Sequence, residues 1–265
     1  MRLWKAHGLG NDYLVLESGE PLNARLVRAI CDRNLGPGSD GILEPTGGGT
    51  ADFAVRIWNP DGSIAEKSGN GLRIFARWIA DRTGTTRFSV WTGFDTVTCE
   101  VGAESISIEM GAARVSPAEV VDGTEVVPVD VGNPHAVVWL TSALDAFPWR
   151  ERGASLEIHG RFPNRTNVQF ARVLHPRCAE ARIWERGAGA TLASGSSACA
   201  VAASGVATGR LQPGWVTVDM PGGALRVHVG EGGLLLEGPV ERIGRFDVDP
   251  QWLASRALAT VPALL

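Results

Sequence analysis

Apolar and polar residues alternate along much of the chain in short stretches. Phe53-Ala54-Val55-Arg56-Ile57, Phe88-Ser89-Val90-Trp91, Val97-Thr98-Cys99-Glu100-Val101 and Ser105-Ile106-Ser107-Ile108-Glu109 carry the pattern through the first half. Ala136 to Trp139, Asn167 to Phe170, Val216 to Val218, Leu225 to Val229 and Leu234 to Leu236 continue it in the second. A period of two sends successive side chains to opposite faces, so these stretches predict short strands. Two segments predict helices instead, Gly71 to about Asp81 and Ser196 to about Ala207. Each opens just after Ser-Gly and closes at Thr-Gly (Thr83-Gly84 and Thr208-Gly209), where glycine suits a C-cap.

The two helices belong to a repeat. Ile57-Trp58 through Ser68-Gly69 lines up with Ile183-Trp184 through Ser194-Gly195 at one offset of about 126 positions, and Ala76 then falls on Ala202. Each copy reads as a strand ending at Ile-Trp, a glycine-rich turn and a helix. The expectation is an α+β fold of two pseudo-symmetric lobes, each a curled, mostly antiparallel sheet around a central helix. The expected lobes are residues 1–115 and 116–245, with the break near Gly111 to Glu125, where periodicity lapses around Pro117. A last helix from Pro250 (Gln251-Trp252-Leu253-Ala254) belongs to a segment, about 246–265, expected to pack back on the first lobe.

Composition narrows the function. The 265 residues suffice for two lobes of roughly 120–130 residues each. A hydrophobic content of 44% with 20% charged residues describes a globular chain rather than a disordered one. The net charge of −4 and scattered arginines give no footprint for nucleic acid. The most apolar stretch, Ala198 to Ala207, falls well short of the roughly 20 residues of a membrane span. With no apolar run after Met1 either, the expected setting is cytoplasmic, with no membrane partner. Cys31, Cys99, Cys178 and Cys199 form no C-x-x-C pair, so no metal site and no disulfide framework is expected.

Several enzyme classes drop out. A pyridoxal racemase needs a Schiff-base lysine; the only lysines are Lys5, on the first strand, and Lys67, beside a helix start. No Gly-Lys-Ser/Thr marks a P-loop. Gly187-x-Gly189 lacks the third glycine of a dinucleotide fingerprint, and neither Ser68 nor Ser194 lies in Gly-x-Ser-x-Gly.

What the repeat does offer is a pair of helix starts, Ser68-Gly69-Asn70-Gly71 and Ser194-Gly195-Ser196-Ser197. Free backbone N–H groups and the positive helix end make each a ready anion site. Taken singly, either Ser-Gly reads more readily as plain capping, and it is the pairing that reverses this. Facing each other across a cleft between lobes, the two would hold one carboxylate and place a side chain on each face of the bound molecule. The same donors would stabilise the enediolate-like charge formed when a proton leaves the neighbouring carbon.

Five blocks then resemble, in order, the signatures of the diaminopimelate epimerase family. They are His7-Gly8-Leu9-Gly10-Asn11-Asp12-Tyr13, Asn59-Pro60-Asp61-Gly62-Ser63, Ser68-Gly69-Asn70-Gly71-Leu72-Arg73, Gly132-Asn133-Pro134-His135, and Glu185-Arg186-Gly187-Ala188-Gly189 through Ser194-Gly195-Ser196. The resemblance implies an isomerase with no cofactor and no metal, commonly a homodimer, that converts LL- to meso-diaminopimelate in lysine and peptidoglycan precursor synthesis. Two cysteines on opposite faces of the α-carbon do the proton transfer in that family. By position, Asn11, Asn59, Asn133 and Asn167 would bind the polar ends of a small amino-acid substrate. Gly69-Asn70 and Gly195-Ser196 would cradle its carboxylate. Glu185-Arg186 would join in binding, and His135 with Glu185 would tune the acid–base pair. Turn chemistry for the asparagines and a satisfied core or turn position for His135 stand beside these roles.

The departure is at the two acid–base positions, which are Ser68 and Ser194. A thiol has a reference pKa of about 8.5, and a helix N-terminus lowers it further. A serine hydroxyl is far less acidic, so both serines argue against fast two-base epimerisation. Engineered inactivation, a native enzyme with another base (His135 being the nearest candidate) and a paralogue with another task all fit the sequence. Such a paralogue would be a one-base isomerase, a dehydratase or a binder of a carboxylate metabolite. Two smaller departures are Gly41, where the family often has a longer polar side chain, and Ala190, where it often has an acid. Cys199 is expected as buried packing.

Overall fold

The computed structural model describes residues 1–47 and 49–258, so part of the 246–265 segment lies outside the described residues. In the first half, strands β1 (Arg2–Gly8) and β2 (Asn11–Ser18) precede helix α1 (Ala24–Cys31). Strands β3 (Ile42–Thr46), β4 (Phe53–Trp58) and the short β5 (Ile64–Ala65) lead into α2 (Gly69–Thr83). The half closes with β6 (Arg87–Trp91), β7 (Thr96–Val101) and β8 (Ile106–Gly111).

The second half follows the same plan. After β9 (Arg114–Val115), β10 (Glu119–Val121), β11 (Thr124–Asp130) and β12 (Pro134–Trp139) come a single 3-10 turn and α3 (Trp149–Glu157). Then β13 (Asn167–His175), β14 (Cys178–Glu185) and β15 (Gly189–Thr191) lead into α4 (Gly195–Ala207). Three successive antiparallel strands, β16 (Gly214–Met220), β17 (Gly223–Gly230) and β18 (Gly233–Gly238), are followed by β19 (Glu241–Asp247) and α5 (Pro250–Leu258).

Pairing is duplicated strand for strand. The parallel pairs β2–β3 and β4–β6 of the first half recur as β12–β13 and β14–β16 in the second. The antiparallel pairs β3–β4, β6–β7 and β7–β8 recur as β13–β14, β16–β17 and β17–β18. β8 pairs with its own counterpart β18, setting Ile108 opposite Leu236, and this joins the halves. The mostly antiparallel α+β plan holds, with two parallel pairs per half added to it.

The central helices start and stop where the sequence indicates. The Ser68 hydroxyl accepts from Gly71 N–H at 3.1 Å, and Gly84, at φ 75°, ends α2 in the left-handed region. One face of α2 buries Leu72, Phe75, Ala76 and Ile79. α4 is buried nearly all round, from Ala198 to Gly205, which fits its run of small residues. Both helices contribute to one core, in which Leu72, Ile74 and Phe75 share a continuous cluster with Ala198, Cys199 and Val201. Each large aliphatic or aromatic side chain so buried contributes about 1.5–3 kcal/mol. A second cluster, Leu3, Leu14, Leu26, Val27 and Ile30, takes Trp252 and Leu253 of α5 against it.

Candidate active site

The two Ser-Gly turns meet. A Cβ built on Gly69 would lie 3.3 Å from the Cα of Gly195, and one built on Gly195 would lie 3.2 Å from the Cα of Gly69. Both would collide with the same methyl of Leu236, at 2.9 and 2.8 Å. The helix N-termini of α2 and α4 therefore abut backbone to backbone, and glycine is needed at both positions for close approach rather than for an unusual φ.

Beside this contact opens a cavity of about 800 Å³, lined by residues from both halves. Ser68, Ser194, Gly69, Asn70, Gly195, Ser196, Asn11, Asn59, Asn133, Asn167, Glu185 and Arg186 all line it. His135 does not. It is buried, its Nε2 within 2.9 Å of Asn133 Oδ1 and its Nδ1 within 2.9 Å of Gln169 Nε2. Burial pushes its pKa down to about 3, so the ring is neutral.

The serines have different surroundings. The Ser68 hydroxyl lies 3.0 Å from the phenol of Tyr13 while capping α2. Burial holds that phenol well above its ordinary pKa, so it is protonated. Ser194 makes no capping bond with its side chain. Its hydroxyl faces Glu185, whose carboxylate also accepts from Thr191 Oγ1 at 3.2 Å. Burial raises the Glu185 pKa, against the opposing pull of the Ser194 and Thr191 hydrogen bonds. The cavity thus holds a neutral phenol–hydroxyl pair at one turn and a carboxyl group with a raised pKa facing a hydroxyl at the other.

A chain of hydrogen bonds fixes the polar wall near Gly69. Arg33 donates to both Asp12 and Asp40 at 2.6 Å, Asn11 Nδ2 donates to Asp40 at 2.9 Å, and Asn70 Nδ2 donates to Asn11 Oδ1 at 3.0 Å. At the other end of the cavity, Asn167 Nδ2 donates to the Pro134 carbonyl at 2.9 Å and its Oδ1 accepts from Arg186 N–H at 3.0 Å. The turn after Arg186 is tied down by Glu157, which accepts from Gly187 N–H at 2.6 Å and from the Trp184 indole at 2.8 Å. Asn59 bonds Ser63 Oγ at 2.9 Å within its own turn.

Tyr13, Asp40, Arg33 and Lys67 line the cavity without having been assigned a part by sequence reasoning. Tyr13 stood inside the first family-like block, but nothing in one chain signals its contact with Ser68. The structure also explains Gly41. A Cβ there would fall 2.5 Å from the Trp58 carbonyl and 2.5 Å from the Tyr13 ring, so the space a longer side chain would need belongs to Tyr13. Cys199 is fully buried in α4, where burial raises its pKa to about 12.

The chain is thus a duplicated α+β fold in which two helix starts abut beside a cavity lined from both halves. Solved structures share the architecture. A phenazine biosynthesis protein of the PhzF family from Bacillus anthracis superposes with a TM-score of 0.73 at 14% identity, over 94% of this chain and 98% of that one. A probable proline racemase from Agrobacterium radiobacter superposes with a TM-score of 0.72 at 16% identity, over 95% of each. At the sequence level, the diaminopimelate epimerase family model matches residues 3–116 and 127–243. The chain is 37% identical to diaminopimelate epimerase of Synechococcus elongatus, covering 90% of this chain and 95% of that one. It is 36% identical to the enzyme of the same name from Desulforudis audaxviator, covering 96% and 99%. The chain belongs to the diaminopimelate epimerase family and is an isomerase of the amino-acid epimerase type, acting on a small molecule. Among the described residues no helix is long and apolar enough to cross a membrane.

Proposed function

We propose that the cavity inverts the α-carbon of diaminopimelate, LL to meso, without a cofactor, as in lysine and peptidoglycan precursor synthesis. The observation that carries this reading is the contact of Gly69 with Gly195, which puts two helix N-termini on one spot. A carboxylate there receives N–H donors from both turns, and its α-carbon lies between Ser68 and Ser194. Asn59, Asn133, Asn167 and Arg186 line the part of the cavity left for the distal amino-acid end.

The proton route follows from the neighbours of the two serines. On one face the α-proton passes to the Glu185 carboxylate, with the Ser194 hydroxyl as relay. The C–H electron pair stays on the carbon–carboxylate unit, held by the N–H donors. On the other face the carbon takes a proton from the Ser68 hydroxyl, which is refilled from the Tyr13 phenol; solvent resets both stations. His135, neutral and outside the cavity, shapes the Asn133 wall and takes no proton. The division into lobes of residues 1–115 and 116–245, just after β9, a homodimer and a cytoplasmic setting accompany the family reading.

Incubation of the natural protein with LL-diaminopimelate in heavy water tests it. The expected result is deuterium at the α-carbon and slow appearance of the meso isomer. The Ser68→Cys, Ser194→Cys protein is expected to be faster by on the order of 10²–10⁴-fold, the usual worth of well-matched acid–base groups. Binding without any exchange would overturn the reading in favour of a carboxylate binder. The use of the Ser68 hydroxyl as an acceptor in the α2 cap is the observation on that side.

A further inference from the structure

Arg73, in the second turn of α2, is completely buried. Arginines of this kind are normally matched by a carboxylate. Arg73 is not. Nη2 donates to Asn70 Oδ1 at 2.7 Å, Nη1 reaches the Gly69 carbonyl at 3.4 Å, and Nε has no partner. Both acceptors are neutral, and among the described residues no acid lies within ion-pair distance of this guanidinium.

The socket is built for it. Its head lies between Gly8, at the end of β1, and Gly238, at the end of β18. A Cβ on Gly8 would fall 2.8 Å from Nη2, and one on Gly238 would fall 3.3 Å from Cζ and Nε. Neither glycine has a positive φ; a side chain at Gly8 would displace the guanidinium, and one at Gly238 would meet Leu225 first and the guanidinium next. Burial lowers the Arg73 pKa to about 10, which leaves the group charged at neutral pH.

The charge is also badly placed for the fold alone. Cations favour helix C-termini, and Arg73 lies near the positive end of α2 with the positive end of α4 abutting it. Three sources of positive potential converge with no anion of the protein among them. Of the acids that line the cavity, Asp40 is held by Arg33 and Asn11, Glu185 by Thr191, and Asp61 by its own turn at Ser63, and Glu66 makes no ion pair with Arg73.

We propose that Arg73 is a positioning residue whose unmatched charge is completed by the carboxylate bound at the Gly69–Asn70 and Gly195–Ser196 turns, and which aims Asn70 at that carboxylate's wall. The inference rests on the epimerase reading for the identity of the carboxylate, and on nothing in that reading for its charge. Arg73 holds Asn70 Oδ1, which turns Asn70 Nδ2 outward to Asn11 and to the Ala193 carbonyl. The guanidinium thereby connects the two halves at the carboxylate site.

The experiment compares wild type, Arg73→Lys and Arg73→Met by calorimetry with LL-diaminopimelate and with its diamide, which lacks both carboxylate charges, alongside melting of the free proteins. Wild type is expected to prefer the diacid, and Arg73→Met to lose at least about tenfold of that preference. Arg73→Lys keeps most of it. The free Arg73→Met protein is expected to melt no lower than Arg73→Lys, since removing an unmatched buried charge relieves the free fold. Equal weakening of diacid and diamide, or an undiminished preference in Arg73→Met, would overturn the proposal. So would a wild-type protein with no preference for the diacid. A preference that disappears in Arg73→Met, in a protein that exchanges no α-proton, would sink the epimerase reading alone and leave Arg73 its role.

Discussion

The Ser68 and Ser194 turns are copies of one design, and they differ in what stands behind each hydroxyl. Both open a central helix, both present a glycine to the other, and both press on Leu236. Behind Ser68 is a protonated phenol, and its hydroxyl is engaged in the helix cap. Behind Ser194 is a carboxylate with a raised pKa, and the hydroxyl makes no cap. Duplication supplies a symmetric cradle for a carboxylate, which has two equivalent oxygens. Inversion of a carbon needs unlike stations on its two faces, one to take a proton and one to give it. The asymmetry sits in side chains reaching the turns from β2 and β14, outside the repeated Ser-Gly units themselves.

The strongest way to break this comparison is Glu185→Gln. It should cut α-proton exchange by on the order of 10²–10⁴-fold while diaminopimelate still binds. The wild-type rate should fall as pH drops through the raised Glu185 pKa, above the ordinary 4.5, because only the carboxylate accepts a proton. A rate that persists in Glu185→Gln with its acid limb intact would move the base elsewhere.

A second prediction removes the competing histidine. The folded pKa of His135, about 3, lies below its ordinary 6.5, so the unfolded chain binds the extra proton first. Stability is full above pH 6.5 and should fall by at most about 1.4 kcal/mol per pH unit as pH drops towards 3. His135→Gln should flatten that slope in denaturant titrations; an unchanged slope would assign it to other groups.

Gly69→Ala and Gly195→Ala test the equivalence of the two turns. Each new methyl meets Leu236 and the opposite glycine at nearly the same distances, so each should lose about 1–3 kcal/mol. A difference larger than about 1 kcal/mol would mean that the halves do not share the contact evenly. The smallest effect belongs to Tyr13→Phe. Loss of one hydrogen bond, about 0.5–1.5 kcal/mol, corresponds to roughly two- to tenfold in turnover with little change in melting. An effect as large as that of Glu185→Gln would reverse the roles of the two faces.

Much of this was legible in the chain. The alternating strands from Phe53 to Glu109 and the helices after each Ser-Gly appeared because half-buried strands and capped helices print their periods in sequence. β2 escaped because Tyr13-Leu14-Val15-Leu16 is apolar without alternation, both faces being covered. α1 and α3, of eight and nine residues, escaped because, unlike α2 and α4, they lie outside the repeated Ser-Gly units and, unlike α5, no proline opens them at their first residue. The parallel pairs β2–β3 and β4–β6 were hidden, since alternation reports which face is buried and says nothing of the neighbour's direction. In the site, the residues within the repeated blocks could be read off and line the cavity. The Tyr13–Ser68 contact, the exclusion of His135 and the unmatched charge of Arg73 depend on distances across the fold, which one sequence does not carry.

The most direct measurement is a crystal structure of the natural protein with LL-diaminopimelate bound. The expected map has one carboxylate within hydrogen-bond distance of N–H groups from both the 69–70 and 195–196 turns, with the Ser68 and Ser194 oxygens on opposite faces of the adjoining carbon. A ligand whose carboxylates both lie away from the Gly69–Gly195 contact, or whose α-carbon has both serines on one side, would contradict it.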